Sequence, residues 1–170
     1  MEKNNIEIER KYIIRKPDSE RLRAMDSFTE SRILQIYLSS PKGLTHRIRA
    51  RESDGVSVYT ETKKIRIDAM SSTEIESEID AQRFSELRTC IREGSVPIEK
   101  TRCTFVYRGQ LFELDFYPEW ERTCIMETEL DSRDRVVDFP DIIHIVRDVT
   151  GIKEYSNSAM SMKFPLEDEI

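Results

Sequence analysis

Pairs of like charges recur in this sequence at a spacing of two residues. The pairs are Glu7 with Glu9, Arg47 with Arg49, Glu74 with Glu76, Lys100 with Arg102, Glu113 with Asp115, and Glu127 with Glu129. Several carboxylate oxygens suit a hard cation such as Mg²⁺ or Mn²⁺, whereas arginine and lysine side chains suit a polyanion. If the fold brings them together, the pairs indicate a site for a metal-bound oligophosphate.

The two members of each pair share a face if they lie in a β-strand, because residues two apart in a strand point the same way. Eight runs are typical of strands: 6–14, 32–39, 44–51, 56–63, 73–79, 98–107, 111–117 and 124–130. A solvated sheet face would explain any single pair. A surface that favours solubility mixes the two signs, however, whereas each pair here has one sign. We therefore expect the strands to close with their charged faces around a polar channel.

The opposite strand faces carry apolar residues that need cover. They include Ile8, Ile48, Ile75, Leu114, Phe116 and Met126. The sequence predicts a helix over 80–93 capped by Asp80, a second over about 140–149 capped by Asp138, and a short helix after Pro17. The predicted fold is α+β, mainly β: a closed eight-stranded antiparallel β-barrel with a few helices packed outside.

Length and composition limit the kind of protein. With 170 residues the chain fits one domain, 1–170, with a tail over about 166–170 that we expect to fray. The net charge of −6 argues against a nucleic-acid partner. Three separated cysteines indicate buried free thiols in a reducing compartment. No apolar run resembles a secretory signal or a membrane span, so we expect a soluble cytoplasmic protein without a membrane partner.

The order of the motifs is itself informative. The chain opens with Glu7-Ile8-Glu9-Arg10-Lys11, an ExExK motif. The later blocks are Gln35-Ile36-Tyr37-Leu38, Arg47-Ile48-Arg49, Glu61-Thr62-Lys63, Glu74-Ile75-Glu76, Lys100-Thr101-Arg102, Phe112-Glu113-Leu114-Asp115, Met126-Glu127-Thr128-Glu129-Leu130 and Lys153-Glu154-Tyr155-Ser156-Asn157. In this order, from Glu7 to about Met160, they resemble the CYTH, or triphosphate tunnel metalloenzyme, superfamily. That superfamily includes class IV adenylate cyclases, thiamine triphosphatases and inorganic triphosphatases.

The resemblance implies an eight-stranded triphosphate tunnel and a role for each matching residue. The residues implied to grip a triphosphate are Lys11, Arg47, Arg49, Lys63, Lys100, Arg102 and Lys153. The implied ligands for Mg²⁺ or Mn²⁺ are Glu7, Glu9, Glu127 and Glu129. The implied catalytic residues are Lys11 and three carboxylates that act as further metal ligands or orient water, namely Glu74, Glu76 and Asp115.

The chain departs from the family pattern at two positions. Ile36 replaces a glycine, and Ser72 stands where relatives often carry an arginine two residues before the second acidic pair. The first departure is a packing change. The second removes a cation from the lining, and Arg51 and Arg66 are the candidates to replace it.

The leading hypothesis is metal-dependent hydrolysis of a small-molecule triphosphate, most of all inorganic tripolyphosphate, by a monomer or homodimer. The opening motif and the Lys100-Thr101-Arg102 block look more like small bacterial triphosphatases than cyclases. The alternatives are a class IV-type adenylate cyclase, a thiamine triphosphatase and a non-catalytic polyphosphate- or nucleotide-binding module. Loss of the metal carboxylates would mark the binding module, and all four are present here.

Overall fold

The computed structural model describes residues 5–170, and nine strands dominate it. The strands are β1 (Asn5–Arg15), β2 (Thr29–Tyr37), β3 (Leu44–Ser53), β4 (Val56–Arg66), β5 (Ser71–Ile79), β6 (Ile98–Tyr107), β7 (Gln110–Phe116), β8 (Thr123–Leu130) and β9 (Ile145–Asp148). The α-helices are short, namely α1 (Ser19–Arg23), α2 (Ala81–Leu87) and α3 (Asn157–Met160), and 3-10 turns lie at Arg88–Cys90, Lys153–Tyr155 and Glu167–Glu169. The predicted mainly-β class is confirmed.

Eight of the strands close into an antiparallel barrel in the order β1-β5-β4-β3-β2-β6-β7-β8 and back to β1. One edge of β1 pairs with β8 over residues 8–15. Its other edge pairs with β5 over residues 5–8 and then with β9 over residues 12–14. The predicted eight-stranded barrel is therefore confirmed. The ninth strand, β9, is not part of the closed barrel and pairs with the edge of β1 beyond the residues that pair with β5.

The strand register sorts the inward-facing charges into two halves of the barrel. The inward-facing residues on β7, β8, β1 and β5 are Glu113, Asp115, Glu127, Glu129, Glu7, Glu9, Lys11, Glu74 and Glu76. Those on β4, β3 and β6 are Lys64, Arg66, Arg47, Arg49, Arg51, Lys100 and Arg102. One half-circle of neighbouring strands is thus acidic apart from Lys11, and the other is basic.

Apolar clusters pack against both surfaces of the barrel wall. On the outside, α2 places Phe84 and Leu87 over Ile48 of β3. A second outer cluster packs Leu22 of α1 and Ile142 against β1, β6, β7 and β8. A third cluster lies at one end of the barrel, where inward side chains such as Ile13 and Ile125 meet residues 149–164. Of the outward apolar residues expected to be covered, Ile48, Leu114 and Met126 are fully buried, whereas Ile75 is 50% exposed.

The predicted helix at 140–149 is wrong. Residues 140–143 form a turn closed by a hydrogen bond from the Ile143 amide to the Pro140 carbonyl, and Ile145–Asp148 is the strand β9. The apolar residues that suggested a helix do not form one buried face, since Val146 is 45% exposed. Beyond Ile8, the backbone edge of β1 needs hydrogen-bond partners, and β9 supplies them.

The predicted helix at 80–93 begins as expected but is shorter. The Asp80 carboxylate accepts a hydrogen bond from the Arg83 amide at 2.7 Å, which confirms it as the cap. The α-helix ends at Leu87, and Ile91 instead pairs with Leu38 in an isolated bridge. The short helix after Pro17 is present as α1.

The C-terminal tail contacts the barrel through Glu167 and through an ion pair of Asp168 with Arg122. Glu167 accepts hydrogen bonds from the backbone amides of residues 121–123. Within residues 5–170, none of the helices has the length and apolar character that crossing a bilayer requires.

Candidate active site

A cavity of about 670 Å³ lies inside the barrel between its acidic and basic halves. Most of the residues predicted to form the site line it, namely Glu7, Glu9, Lys11, Arg47, Arg49, Glu74, Glu76, Arg102, Glu127, Glu129 and Lys153. Apart from Lys153, which lies in a 3-10 turn, they come together because the closed register turns alternate residues of five strands towards one space.

Lys100 and Asp115 do not line the cavity but lie buried beside it. The Lys100 ammonium is 2.5 Å from Asp115 Oδ2, and both side chains are almost fully buried. Arg102 donates to both oxygens of Asp115 at 2.7 Å. Asp115 is therefore occupied by two cations and does not fit its expected role as a metal ligand or water-orienting base. Lys100 likewise does not fit direct contact with a phosphate.

The expected role of Lys63 is also wrong, because its side chain is on the outside of the barrel. The register pairs Lys63 with Ile75 and His46, all on the outer face, and Lys63 is exposed. Its neighbour Lys64 faces the cavity and lies between Glu7 at 3.3 Å and Glu74 at 3.2 Å. The signal was present in the sequence, since Thr62 and Lys64 share a face as a Thr-x-Lys pair.

Sequence reasoning also left out other lining residues. Tyr37 and Glu113 occur in the matched motifs, and their i, i+2 relation to Gln35 and Asp115 could have placed them inside. Asn157 and its neighbours reach the cavity from the start of α3, and Asn157 ends the matched block that begins at Lys153.

Three arginines of the basic half have no carboxylate partner among the described residues. Arg51 and Arg66 are exposed, whereas Arg49 is largely buried. Arg102 is bound by Asp115, Glu113 and Glu127, and Arg47 donates to Glu74 at 3.0 Å. Arg49 forms no ion pair with any described residue, and its guanidinium instead donates twice to the neutral Gln35. Burial, and then the positive charges of Arg47 and Arg102, lower the pKa of Arg49 to about 10, which leaves it protonated at neutral pH. An unpaired buried cation of this kind favours an anion in the cavity.

The acidic half has the opposite imbalance. Burial, followed by the nearby negative charge of Glu74, raises the pKa of Glu7 to about 7. Burial and the neighbouring Glu9 also raise the pKa of Glu129, whose carboxylate has no ion pair among the described residues. Since these carboxylates repel one another, a cation between them would relieve the repulsion.

The donor set fits a hard divalent metal in its chemistry, because it consists of carboxylate oxygens with unsatisfied negative charge. Across the described chain, no three His, Cys, Asp or Glu side chains form a ready-made metal cage. A metal held here would complete its coordination with oxygens from the ligand or from water, as Mg²⁺ commonly does.

The segment that follows β4 closes one side of the cavity. Arg66 lies opposite Ser72 in the register and donates to the carbonyls of Asp68, Ala69 and Gly151. Gly151 is required there, because its φ is +74° and an added Cβ would lie 2.9 Å from the Ala69 Cβ. Both candidates to replace the missing arginine, Arg51 and Arg66, line the cavity.

No family model and no curated protein matches the chain. Solved structures do match. The chain is 29% identical to the inorganic triphosphatase NE1496, over 94% of this chain and 96% of that one, with a TM-score of 0.59.

Two further structures give similar values. A crystal structure of NE1496 described as a hypothetical protein is 30% identical over 94% of this chain and 99% of that chain, with a TM-score of 0.58. The PH1819 protein from Pyrococcus horikoshii OT3 is 26% identical over 75% of this chain and 80% of that chain, with a TM-score of 0.59. With this coverage and the charged barrel interior, the chain belongs to the CYTH, or triphosphate tunnel metalloenzyme, superfamily.

Proposed function

We propose that this protein hydrolyses inorganic tripolyphosphate with the help of Mg²⁺ or Mn²⁺. The observation that carries the proposal is the division of the cavity into two halves with opposite unsatisfied charge, Arg49 on one side and Glu129 on the other. A metal-bound triphosphate carries both signs and would satisfy both halves. The similar protein NE1496 is described as an inorganic triphosphatase, which supports the same chemistry.

The metal would be held by Glu7, Glu9 and Glu129, which line the acidic half of the cavity. When bound, such a metal neutralises charge on the phosphate oxygens and lowers the pKa of a coordinated water. Glu127, expected as a fourth ligand, is already paired with Lys11 at 2.8 Å and with Arg102 at 3.2 Å. We assign it instead to holding these two cations in place.

The protein's own side chains would bind and orient the substrate. Arg47, Arg49 and Arg102 present guanidinium groups to the cavity, where they would neutralise charge that develops on the phosphate oxygens. Glu76 accepts a hydrogen bond at Oε2 from the Thr62 hydroxyl at 2.7 Å. Its Oε1 has no protein partner among the described residues, so we assign Glu76 to orienting the attacking water and accepting its proton.

The direct test measures phosphate release from tripolyphosphate, ATP and thiamine triphosphate in parallel, with Mg²⁺, with Mn²⁺ and with EDTA. We expect release from tripolyphosphate with either metal and a loss of activity in EDTA, because the phosphate charge is then left without a counter-ion. Tyr37 is the only aromatic residue in the described lining, so no second aromatic ring is available to stack on a base. Tripolyphosphate should therefore be the best of the three substrates.

The same assay distinguishes the alternatives. Cyclic AMP and pyrophosphate from ATP would identify a cyclase, and preferred turnover of thiamine triphosphate would identify a thiamine triphosphatase. Binding of tripolyphosphate without turnover in either metal would leave a binding module and refute the hydrolase proposal.

A pair of adjacent lysines tests the inward register of β4. Lys64→Ala should raise the KM for tripolyphosphate by roughly tenfold, since it removes a cation from the cavity, whereas Lys63→Ala should change it less than about twofold. Steady-state kinetics on both variants measures the difference. A larger effect at Lys63 than at Lys64 would mean that the strand faces are assigned the wrong way round.

A further inference from the structure

Gln35 is fully buried at the base of the basic half, and its amide joins two cavity residues. Its Oε1 accepts from Arg49 Nε at 3.1 Å and Nη2 at 3.0 Å. Its Nε2 lies 2.5 Å from the Tyr37 hydroxyl and donates to it. The exposed fraction of Gln35 is 0%, so water cannot replace either partner.

The local strand geometry explains why these groups meet. Gln35 lies directly across from Arg49 in the β2–β3 register, and Tyr37 is two residues further along the same strand face. The two arginine donors require the amide oxygen, so the amide nitrogen must face Tyr37. Because the Tyr37 oxygen accepts this bond, its own proton remains available for donation to a ligand in the cavity.

A neutral acceptor at this position has a consequence that a carboxylate would not have. The guanidinium groups on either side of Arg49, those of Arg47 and Arg102, are bonded to carboxylates, which offset their charge. Gln35 satisfies two donors of Arg49 and leaves its positive charge undiminished. A glutamate of the same shape would still accept from Arg49, but it would neutralise the guanidinium and would accept from the Tyr37 hydroxyl instead of donating to it.

We propose that Gln35 is a positioning residue that fixes Arg49 towards the substrate while keeping its charge available, and so sets the affinity of the cavity for a polyphosphate. This inference rests on the proposed function for the identity of the ligand. It concerns binding of the anion, which can be measured without turnover.

The test compares Gln35→Glu with Gln35→Met by calorimetric titration with tripolyphosphate in EDTA. Gln35→Glu should weaken binding by at least about tenfold, because it adds a negative charge beside Arg49. Gln35→Met removes the acceptor without adding charge and should weaken binding by a smaller factor, roughly threefold. A purely structural role would give the reverse order, since glutamate keeps both the shape and the acceptor. Equal or weaker binding by the Met variant relative to the Glu variant would overturn the proposal.

A double-mutant cycle keeps the test valid if one variant folds poorly. In an Arg49→Ala background, the further change Gln35→Glu should alter the dissociation constant by less than about twofold, because its partner charge is gone. An undiminished effect in that background would show that Gln35 does not act through Arg49, and would overturn the proposal.

Phosphate release by the wild-type protein with Mg²⁺ tests the proposed function separately. If the wild type binds tripolyphosphate but does not hydrolyse it, the proposed function fails and the titrations still decide the role of Gln35. If the wild type does not bind tripolyphosphate, both proposals are overturned.

Discussion

Glu129→Gln should reduce turnover of tripolyphosphate roughly 100-fold while leaving its metal-free binding within about threefold of the wild type. Glu129 lines the acidic half and has no ion pair among the described residues, so its charge is available to a metal. Glutamine keeps the shape but removes the negative charge. The basic half, which would bind the anion, is unchanged.

The measurement is kcat by phosphate release over a range of Mg²⁺ concentrations, with binding by titration in EDTA. Glu99→Gln is the matched control, because Glu99 is exposed on a strand of the same barrel and does not line the cavity. The control should retain wild-type activity. Unchanged turnover in Glu129→Gln would remove Glu129 from the metal site.

Arg49→Ala should weaken binding of tripolyphosphate about 100-fold, and binding of orthophosphate by a much smaller factor. The lost group is a largely buried cavity arginine that has no carboxylate partner among the described residues, so its charge is not offset. A longer anion carries more charge into the cavity and loses more when this cation is removed. The variant leaves no carboxylate unpaired but leaves the buried Gln35 oxygen without a donor, so it should fold with a lower Tm than the wild type.

Titrations with the two anions, together with thermal unfolding, provide the measurement. Arg32→Ala is the control, since Arg32 lies on β2 with its side chain exposed and does not line the cavity. An equal loss of affinity for both anions would argue against an extended triphosphate site.

Much of the fold could be predicted because strand alternation is strong in this chain. All eight predicted strands are present. The pairs of like charge, as expected, lie on the strand faces that point into the barrel. The strand β9 could not be predicted, because its apolar residues also match a helical stripe. The segment becomes a strand rather than a helix because it pairs with the edge of β1, and this contact between distant parts of the chain cannot be read from local sequence.

The site residues could be predicted in kind but not always in position. Lys63 and Lys64 are adjacent, and a shift of one residue exchanges the two faces of a strand, so only the spacing of Lys64 from Thr62 distinguishes the inward lysine. The alternation of inward and outward residues along a strand also does not show how deeply an inward side chain is buried. Lys100 and Asp115 face inward as expected, but they lie where their charges satisfy each other rather than a ligand.

The division of the barrel interior into acidic and basic halves also affects how a ligand approaches. Opposed charges inside the barrel partly cancel at a distance, and the whole chain carries a net charge of −6. The long-range field therefore does not steer a free polyanion towards the opening, and association should be slower than the electrostatic limit. A polyanion that has already bound a divalent cation carries less charge and meets less repulsion on approach. We therefore expect a metal-bound polyanion to associate with the protein faster than the free polyanion does.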